Sequence, residues 1–234
     1  MGCRDSFGAR AGVQIIADKT TFLAGSFDTL LTVLDKAFVK LSLRAGETLF
    51  EQDDYDDRLY VLDEGLLEVS VYSANGRKLS LNRLHPPCVF GEIAIFDPGT
   101  RTARIEALAP SKLRAIRQSA LISKIAEDPD IATELLRLAG KRMRWMSRQM
   151  EDQVFLPPAA RLAAKVLLLA GETGEIEMAQ AQLADFVGVT RELVSKTLSE
   201  WRREGIVAVS RGRIQLLDVD ALWELKNSTF FEAV

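Results

Sequence analysis

Between Pro129 and Pro157 the chain repeats a step of four and then three: Ala132, Leu136, Ala139, Met143, Met146 and Met150, with Gln153 closing the series. That alternation holds one seam on one side of a helix over successive heptads, and such a seam calls for a second helix packed along it. Proline suits the first turn of a helix and breaks its interior. Pro129 and the pair Pro157-Pro158 therefore bound a single rod, broken at Phe155–Pro158. The segments on either side of the rod must be organised separately.

The front part begins with helical spacing over Phe22–Lys36, where Phe27, Leu30, Leu31 and Leu34 come after Ser26, a residue suited to the N-cap. From Phe38 the pattern turns to strands. Leu67, Val69 and Val71 alternate with Glu68 and Ser70, and Leu79 and Leu81 resume the alternation after Asn75-Gly76. Both central residues of that turn tolerate positive φ, which predicts a hairpin. Gly46, Gly65, Pro86-Pro87 and Pro98-Gly99 punctuate the rest, and strands this short predict an antiparallel barrel or roll. Leu113–Ile125 reads as a return to helix. At the centre lies FGEIAIFDPGTRTARIEA, Phe90–Ala107. Gly91-Glu92, a short apolar turn and then Arg101-Thr102-Ala103 have the chemistry of a phosphate cradle.

The back part is a second small domain. Ala159–Ala170 predicts a helix and Gly171–Gly174 a loop. A short helix over Ala179–Val187 and a longer one over Thr190–Glu204 come next, with Thr190 as cap. Ile206–Val209 and Ile214–Leu217 form a hairpin through Gly212, and Asp218–Lys226 a last helix. Gln180–Ser199 matches a helix-turn-helix. Ala184 is small where the helices cross, Gly188 supplies the positive φ of the turn, and Val194 packs the second helix on the first. Arg191, Glu192, Ser195 and Lys196 then project from the first turns of a recognition helix. Arg191 suits guanine and Glu192 suits cytosine N4. Arg211 and Arg213 in the hairpin suit phosphates. From Thr190 to Arg213 six basic residues face three acids, inside a chain of net charge −3. The pattern by itself is also open to a plain helical hairpin with solvated charges.

Composition removes several classes. The 234 residues hold two cysteines, Cys3 and Cys88, too few for a four-thiolate iron–sulfur site. One histidine, His85, and no paired-carboxylate arrangement give no catalytic residues, so no enzyme is expected. His85 with Cys88 leaves a haem site open. No apolar run reaches the roughly 20 residues that span a bilayer. Met1–Asp18 lacks the apolar core of a secretory signal, and a cytoplasmic protein without membrane partner is expected. The basic run Arg137, Lys141, Arg142, Arg144 and Arg148 reads as the solvated face of the rod.

Taken together, GETLFEQ (Gly46–Gln52), LYVLDEGLLEV (Leu59–Val69), FGEIAIF, RTA and TRELVSK (Thr190–Lys196) resemble the cyclic AMP receptor protein and fumarate–nitrate-reduction regulator (Crp/Fnr) superfamily over about Phe22–Leu225. The resemblance implies an α+β chain. An N-terminal extension (1–20) precedes a cyclic-nucleotide-binding β-roll (21–128), a dimerisation helix (129–154) and a winged helix-turn-helix (155–234). It implies a homodimeric, allosteric transcription regulator that binds cAMP or cGMP, without metal, and then a palindromic, TGTGA-like operator in double-stranded DNA; RNA polymerase is a further partner. Carried over, Gly91 lets the backbone approach the ligand and Glu92 accepts from the ribose 2′-hydroxyl. The turn through Ile93 and Ala94 offers amides to the phosphate, Arg101 pairs with it, and Thr102 adds a hydroxyl. Met146 and Ser147 fall where the base is contacted, and Leu136, Ala139, Met143, Met146 and Met150 form the dimer seam. Two other readings keep the architecture or the cassette: a haem, redox or metabolite sensor, or a cyclic-nucleotide-binding regulatory subunit of an enzyme. A bare ion pair between Glu92 and Arg101 is the structural alternative.

Overall fold

The computed structural model describes residue 34, residues 37–171 and residues 173–227. The N-terminal extension and the helix expected over Phe22–Lys36 lie outside the described residues, save for Leu34, which is helical and fully buried. The described residues fall into two compact units, one ending at Arg144 and the other beginning at Trp145.

Two long strands organise the first unit. β3 (Arg58–Tyr72) and β6 (Arg104–Arg117) run antiparallel, from Arg58 opposite Arg117 to Ser70 opposite Arg104. Their register slips between Leu62 and Leu67, and there both strands bend. Gly65 sits in the bend at φ +103°, where a Cβ would lie 2.2 Å from Ser111 Oγ and 2.6 Å from the Pro110 carbonyl. No side chain fits that approach. The two halves of each long strand take different partners. β5 (Cys88–Phe90) pairs with Tyr60–Leu62, and β4 (Lys78–Leu84) with Leu67–Tyr72. On β6, β2 (Thr48–Phe50) pairs with Ile105-Glu106 and β1 (Val39–Leu43) with Ser111–Ala115. The result is an antiparallel β-roll whose inward residues, Leu59, Val61, Leu62, Leu67, Ala107 and Leu113 among them, are fully or almost fully buried.

Two expectations need correction. Leu113–Arg117 is the end of β6, and the helix starts only at Gln118. Leu113 and Ala115 point inward while Arg114 reaches Asp63, so a strand alternation is present there. The β3–β4 turn is also not a two-residue one. Ser73 and Arg77 close it, Gly76 N–H donates to Ser73 O at 2.8 Å, and Gly76 alone has positive φ. That is a three-residue loop ending in a left-handed glycine.

Among the described residues, and besides the helical Leu34, the unit also holds α1 (Ile93–Phe96), α2 (Gln118–Glu127) and α3 (Asp130–Phe155), the last crossing the boundary at Arg144. Pro129 precedes α3 as expected. Its first turns bury Ile131, Leu135 and Leu138, while Leu136, Met143, Met146 and Met150 stand 60–69% exposed along another side. Ala139 on the same line is half-buried.

The second unit holds α4 (Pro158–Ala170), β7 (Glu175–Glu177), α5 (Gln180–Val187), α6 (Arg191–Arg203), β8 (Val207–Ser210), β9 (Arg213–Leu216) and α7 (Val219–Asn227). Leu162, Val166, Leu183, Val187, Val194, Leu198, Trp201, Ile214 and Leu222 form its core. Its sheet has the order β7-β9-β8. β7 was not anticipated, because three residues with one inward side chain, Ile176, show no periodicity. At the break between α3 and α4, Arg161 Nη1 donates to the carbonyls of Gln153 at 3.2 Å and Leu156 at 3.4 Å, which closes the C-terminal end of α3. Lys165 is buried on α4 and donates to Gln149 Oε1; burial holds its pKa below the usual lysine value, against the pull of Asp152.

Candidate functional site

The centre of the roll is built on an aromatic bed. Tyr60 from β3 stacks on Phe90 from β5, with ring centroids 5.3 Å apart, and meets Phe50 from β2 at 5.7 Å. Phe90 leads directly into Gly91 and Glu92, so strand pairing carries the cassette to the bed. Arg101 returns to it from the other end of the loop, fixed by backbone bonds: its N–H donates to Asp54 O and its carbonyl accepts from Asp53 N–H, both at 2.8 Å. Its guanidinium carbon lies 4.4 Å from the Phe50 ring centre and 5.4 Å from that of Tyr60.

Only 4% of Arg101 is exposed, yet its charge is compensated. Nη1 donates to Gly91 O at 3.1 Å, and Nη2 to Asp56 Oδ2 at 2.8 Å and to Arg58 O at 2.7 Å. Nε is buried with no partner. Tyr60 donates its hydroxyl to the same Asp56 oxygen at 2.6 Å. Burial pushes the Asp56 carboxyl upward, but the bonds from Tyr60 and Arg101 and the charges of Arg101 and Arg58 outweigh it and hold its pKa below the usual carboxylate range. Tyr60 is raised, by burial first and then by Asp56.

Glu92 is also buried, and its partner is Arg142 from α3. Arg142 Nη1 donates to Glu92 Oε2 and Nη2 to Val89 O at 2.5 Å. The alternative of a bare Glu92–Arg101 ion pair is thereby set aside: each takes a different counter-charge. Arg142 is likewise not part of a solvated face. Its side chain is only 18% exposed and inside the site. Sequence reasoning missed it because a basic run on a long helix does not say which of its members points inward.

Between them, α1 engages the amides of Ile95, Phe96 and Asp97 on Glu92 O and Ile93 O, which leaves those of Ile93 and Ala94 outside the helical ladder. Ala94 is buried and Ile93 half-exposed. Gly91 holds φ +82°, and a Cβ there would meet Arg101 Nη1 at 2.8 Å. The structure thus brings Gly91, Glu92, Ile93, Ala94 and Arg101 together. Thr102 comes next in the chain, exposed. Met146 and Ser147 are exposed on α3 beyond Arg144. Cys88 is enclosed in the core, its thiol pushed up to about 12 by burial, with Arg142 opposing and Glu92 adding to the rise. His85 is held below its ordinary pKa by burial and then by Arg83. No cluster of three metal-ligating side chains occurs among the described residues.

The reading unit has the expected geometry. α5 ends at Gly188, which holds φ +74°, and its N–H donates to Ala184 O at 2.9 Å. Thr190 caps α6 by accepting from Leu193 N–H at 3.3 Å. Val194, Leu198 and Trp201 are buried, so Arg191, Glu192 and Lys196 face outward, with Ser195 half-buried beside them. Arg211 is exposed at the wing turn. Arg213 is exposed as well but bound within the wing, 2.7 Å from Glu177 and 3.6 Å from Glu175, because β7 pairs with β9.

Comparison with known proteins agrees with both halves. The cyclic nucleotide-binding domain model matches residues 40–128, and the Crp-like helix-turn-helix domain model matches residues 160–225. The chain is 28% identical over 227 residues to the CRP-like cAMP-activated global transcriptional regulator of Mycobacterium tuberculosis, covering 93% of this chain and 97% of that one. It is 27% identical over 182 residues to the cyclic AMP receptor protein of Thermus thermophilus, covering 77% and 84%. A solved CRP/FNR-family transcriptional regulator from Thermus thermophilus shares its fold with a TM-score of 0.70 at 27% identity, over 81% of this chain and 99% of that one. A cyclic-nucleotide-binding roll joined to a helix-turn-helix defines a DNA-binding transcription regulator. The chain belongs to the Crp/Fnr superfamily.

Proposed function

We propose that the protein is a homodimeric regulator that binds cAMP or cGMP in its roll and thereby controls the grip of its recognition helices on a palindromic, TGTGA-like operator. The observation that carries the ligand is Arg101: a buried guanidinium beside a glycine with no room for a Cβ, with its Nε unpartnered. An orphaned buried donor next to free first-turn amides fits an anion. Arg101 would hold the cyclic phosphate with the amides of Ile93 and Ala94. Glu92, whose Oε2 already takes Arg142, would offer Oε1 to the ribose hydroxyl. Thr102, Met146 and Ser147 are the candidates for choosing the base. The bound nucleotide supplies charge and shape, and no covalent step is involved.

The exposed Leu136–Met143–Met146–Met150 stripe supports a dimer, since methionine and leucine in heptad register seldom face water for a whole rod. The domain limits are then a sensor over 21–128, a dimer helix over 129–154 and a DNA reader over 155–234. Arg191, Glu192 and Lys196 would read bases from two half-sites about one helical turn apart, with Ser195 and Thr190 beside them and Arg211 on phosphate. Arg213, tied to two carboxylates, is the weaker phosphate candidate.

Calorimetric titration with cAMP and with cGMP, and then retardation of a palindromic duplex with and without the nucleotide that binds, tests the reading. Binding of one nucleotide and a retarded dimer complex that depends on it are expected. No heat from either nucleotide at high micromolar concentration sinks the ligand half. Retardation by neither form of the protein sinks the operator half.

A further inference from the structure

A guanidinium grips an anion with a fork, two parallel N–H donors on one edge. Arginine has two such edges, Nε with Nη2 and Nη1 with Nη2, and both need Nη2. In Arg101 both hydrogens of Nη2 are engaged, one by Asp56 Oδ2 at 2.8 Å and one by Arg58 O at 2.7 Å. Neither edge is open as the chain stands. Arg58 O belongs to the first residue of β3 and moves only with the strand. Asp56 lies before the strand, its side chain needs only a rotation, and it carries the same sign of charge as a phosphate.

We infer that Asp56 is a built-in counter-anion that occupies the phosphate position of Arg101 and must leave it when a cyclic nucleotide binds, an inference that rests on the nucleotide reading above. Two partners for the displaced carboxylate are in place. Arg58 Nε stands 3.5 Å from Asp56 Oδ1, and Tyr60 donates to Oδ2. The displaced group therefore moves from one arginine toward another and stays paired. The exchange explains how Arg101 can wait 4% exposed with its charge satisfied. It also sets the affinity: phosphate gains on Arg101 only what Asp56 gives up. Asp56 is thus a determinant of the ligand concentration to which the protein answers.

The variant Asp56→Asn keeps the shape and one accepting oxygen, gives up the bond that Oδ1 takes from Arg58 N–H at 3.2 Å, and removes the competing charge. Titrated with cAMP and cGMP, it is expected to bind whichever nucleotide the unaltered protein binds roughly tenfold more tightly. With adenosine and guanosine, which lack the phosphate, affinity is expected to change by less than about twofold. A merely structural Asp56 would weaken both ligand types alike. Asp56→Ala is expected to act in the same direction, and melting curves with and without nucleotide give an independent binding constant for each variant. Equal or weaker nucleotide binding by both variants, against clear binding by the unaltered protein, overturns the exchange and leaves the nucleotide reading standing. Heat from no form of the protein overturns both.

Discussion

Replacing Arg142 by methionine strips the counter-charge from Glu92 and keeps most of the volume. Glu92 is 3% exposed, and its partner reaches it from α3. The loss also frees Val89 O, which Arg142 Nη2 meets at 2.5 Å. Breaking a buried pair from one side costs about 3–5 kcal/mol, since an uncompensated charge stays behind. In a unit of about 100 residues that lowers the melting temperature by roughly 4–8 °C for each kcal/mol. Adding Glu92→Gln removes the stranded charge, and about 2 kcal/mol should return. The choice of probe matters. All three tryptophans, Trp145, Trp201 and Trp223, lie beyond Arg144, so their fluorescence reports the other unit. Native-state hydrogen exchange at the amides of Tyr60–Leu62, which pair with Cys88–Phe90, reads the roll beside the ion pair. Protection there should fall by about two to four powers of ten in Arg142→Met and partly recover in the double variant. A loss of less than tenfold, or a double variant weaker than the single, would show that the pair does not bear on the roll.

Gly91→Ala places a Cβ 2.8 Å from Arg101 Nη1 and 3.0 Å from Arg58 O at φ +82°, so it should cost about 1–3 kcal/mol and abolish nucleotide-induced thermal stabilisation; retained stabilisation refutes it. Lys165→Met should stabilise the second unit by about 1–3 kcal/mol in urea unfolding near pH 7. The folded pKa of Lys165 lies below the unfolded value of 10.5, so the unfolded chain binds more protons between the two. Stability of the unaltered protein should rise with pH through that window, and the variant should lack the rise.

How much of this was legible in the sequence depends on whether a feature is local. Pro129, Pro157 and the heptad steps marked α3 to within a residue, because helix breakers and periodicity act along the chain. Gly188, Thr190 and Val194 marked the reading unit for the same reason. Gly91, Glu92 and Arg101 were found together because the cassette is one continuous stretch. Asp56 and Arg142 were not, since each reaches the site from an element far away in sequence: Asp56 lies 45 residues from Arg101 and Arg142 lies 50 from Glu92. Only folded strands bring them in. The β6 extension through Arg117 was misread because Leu113, Ala115 and Ile116 satisfy helical and strand spacing equally well over so few residues. β7 exists only as a partner of β9, so no signal of its own could have announced it.

α3 carries Arg142 on the side that holds Glu92 and Met143, its next residue, on the exposed stripe. Successive residues of a helix point about 100° apart, so the two directions are locked to one another. A helix of 3.6 residues per turn drifts about 20° for each heptad away from a seven-residue seam. From Leu136 through Met143 to Met150 the stripe therefore turns by about 40°, and Arg142 sits beside its midpoint. Pinned there, the rod cannot roll to even out the drift; it can only twist away on either side of the pin. A partner helix that tracks the whole stripe must coil around that point, while the buried Ile131, Leu135 and Leu138 hold the first turns of the rod.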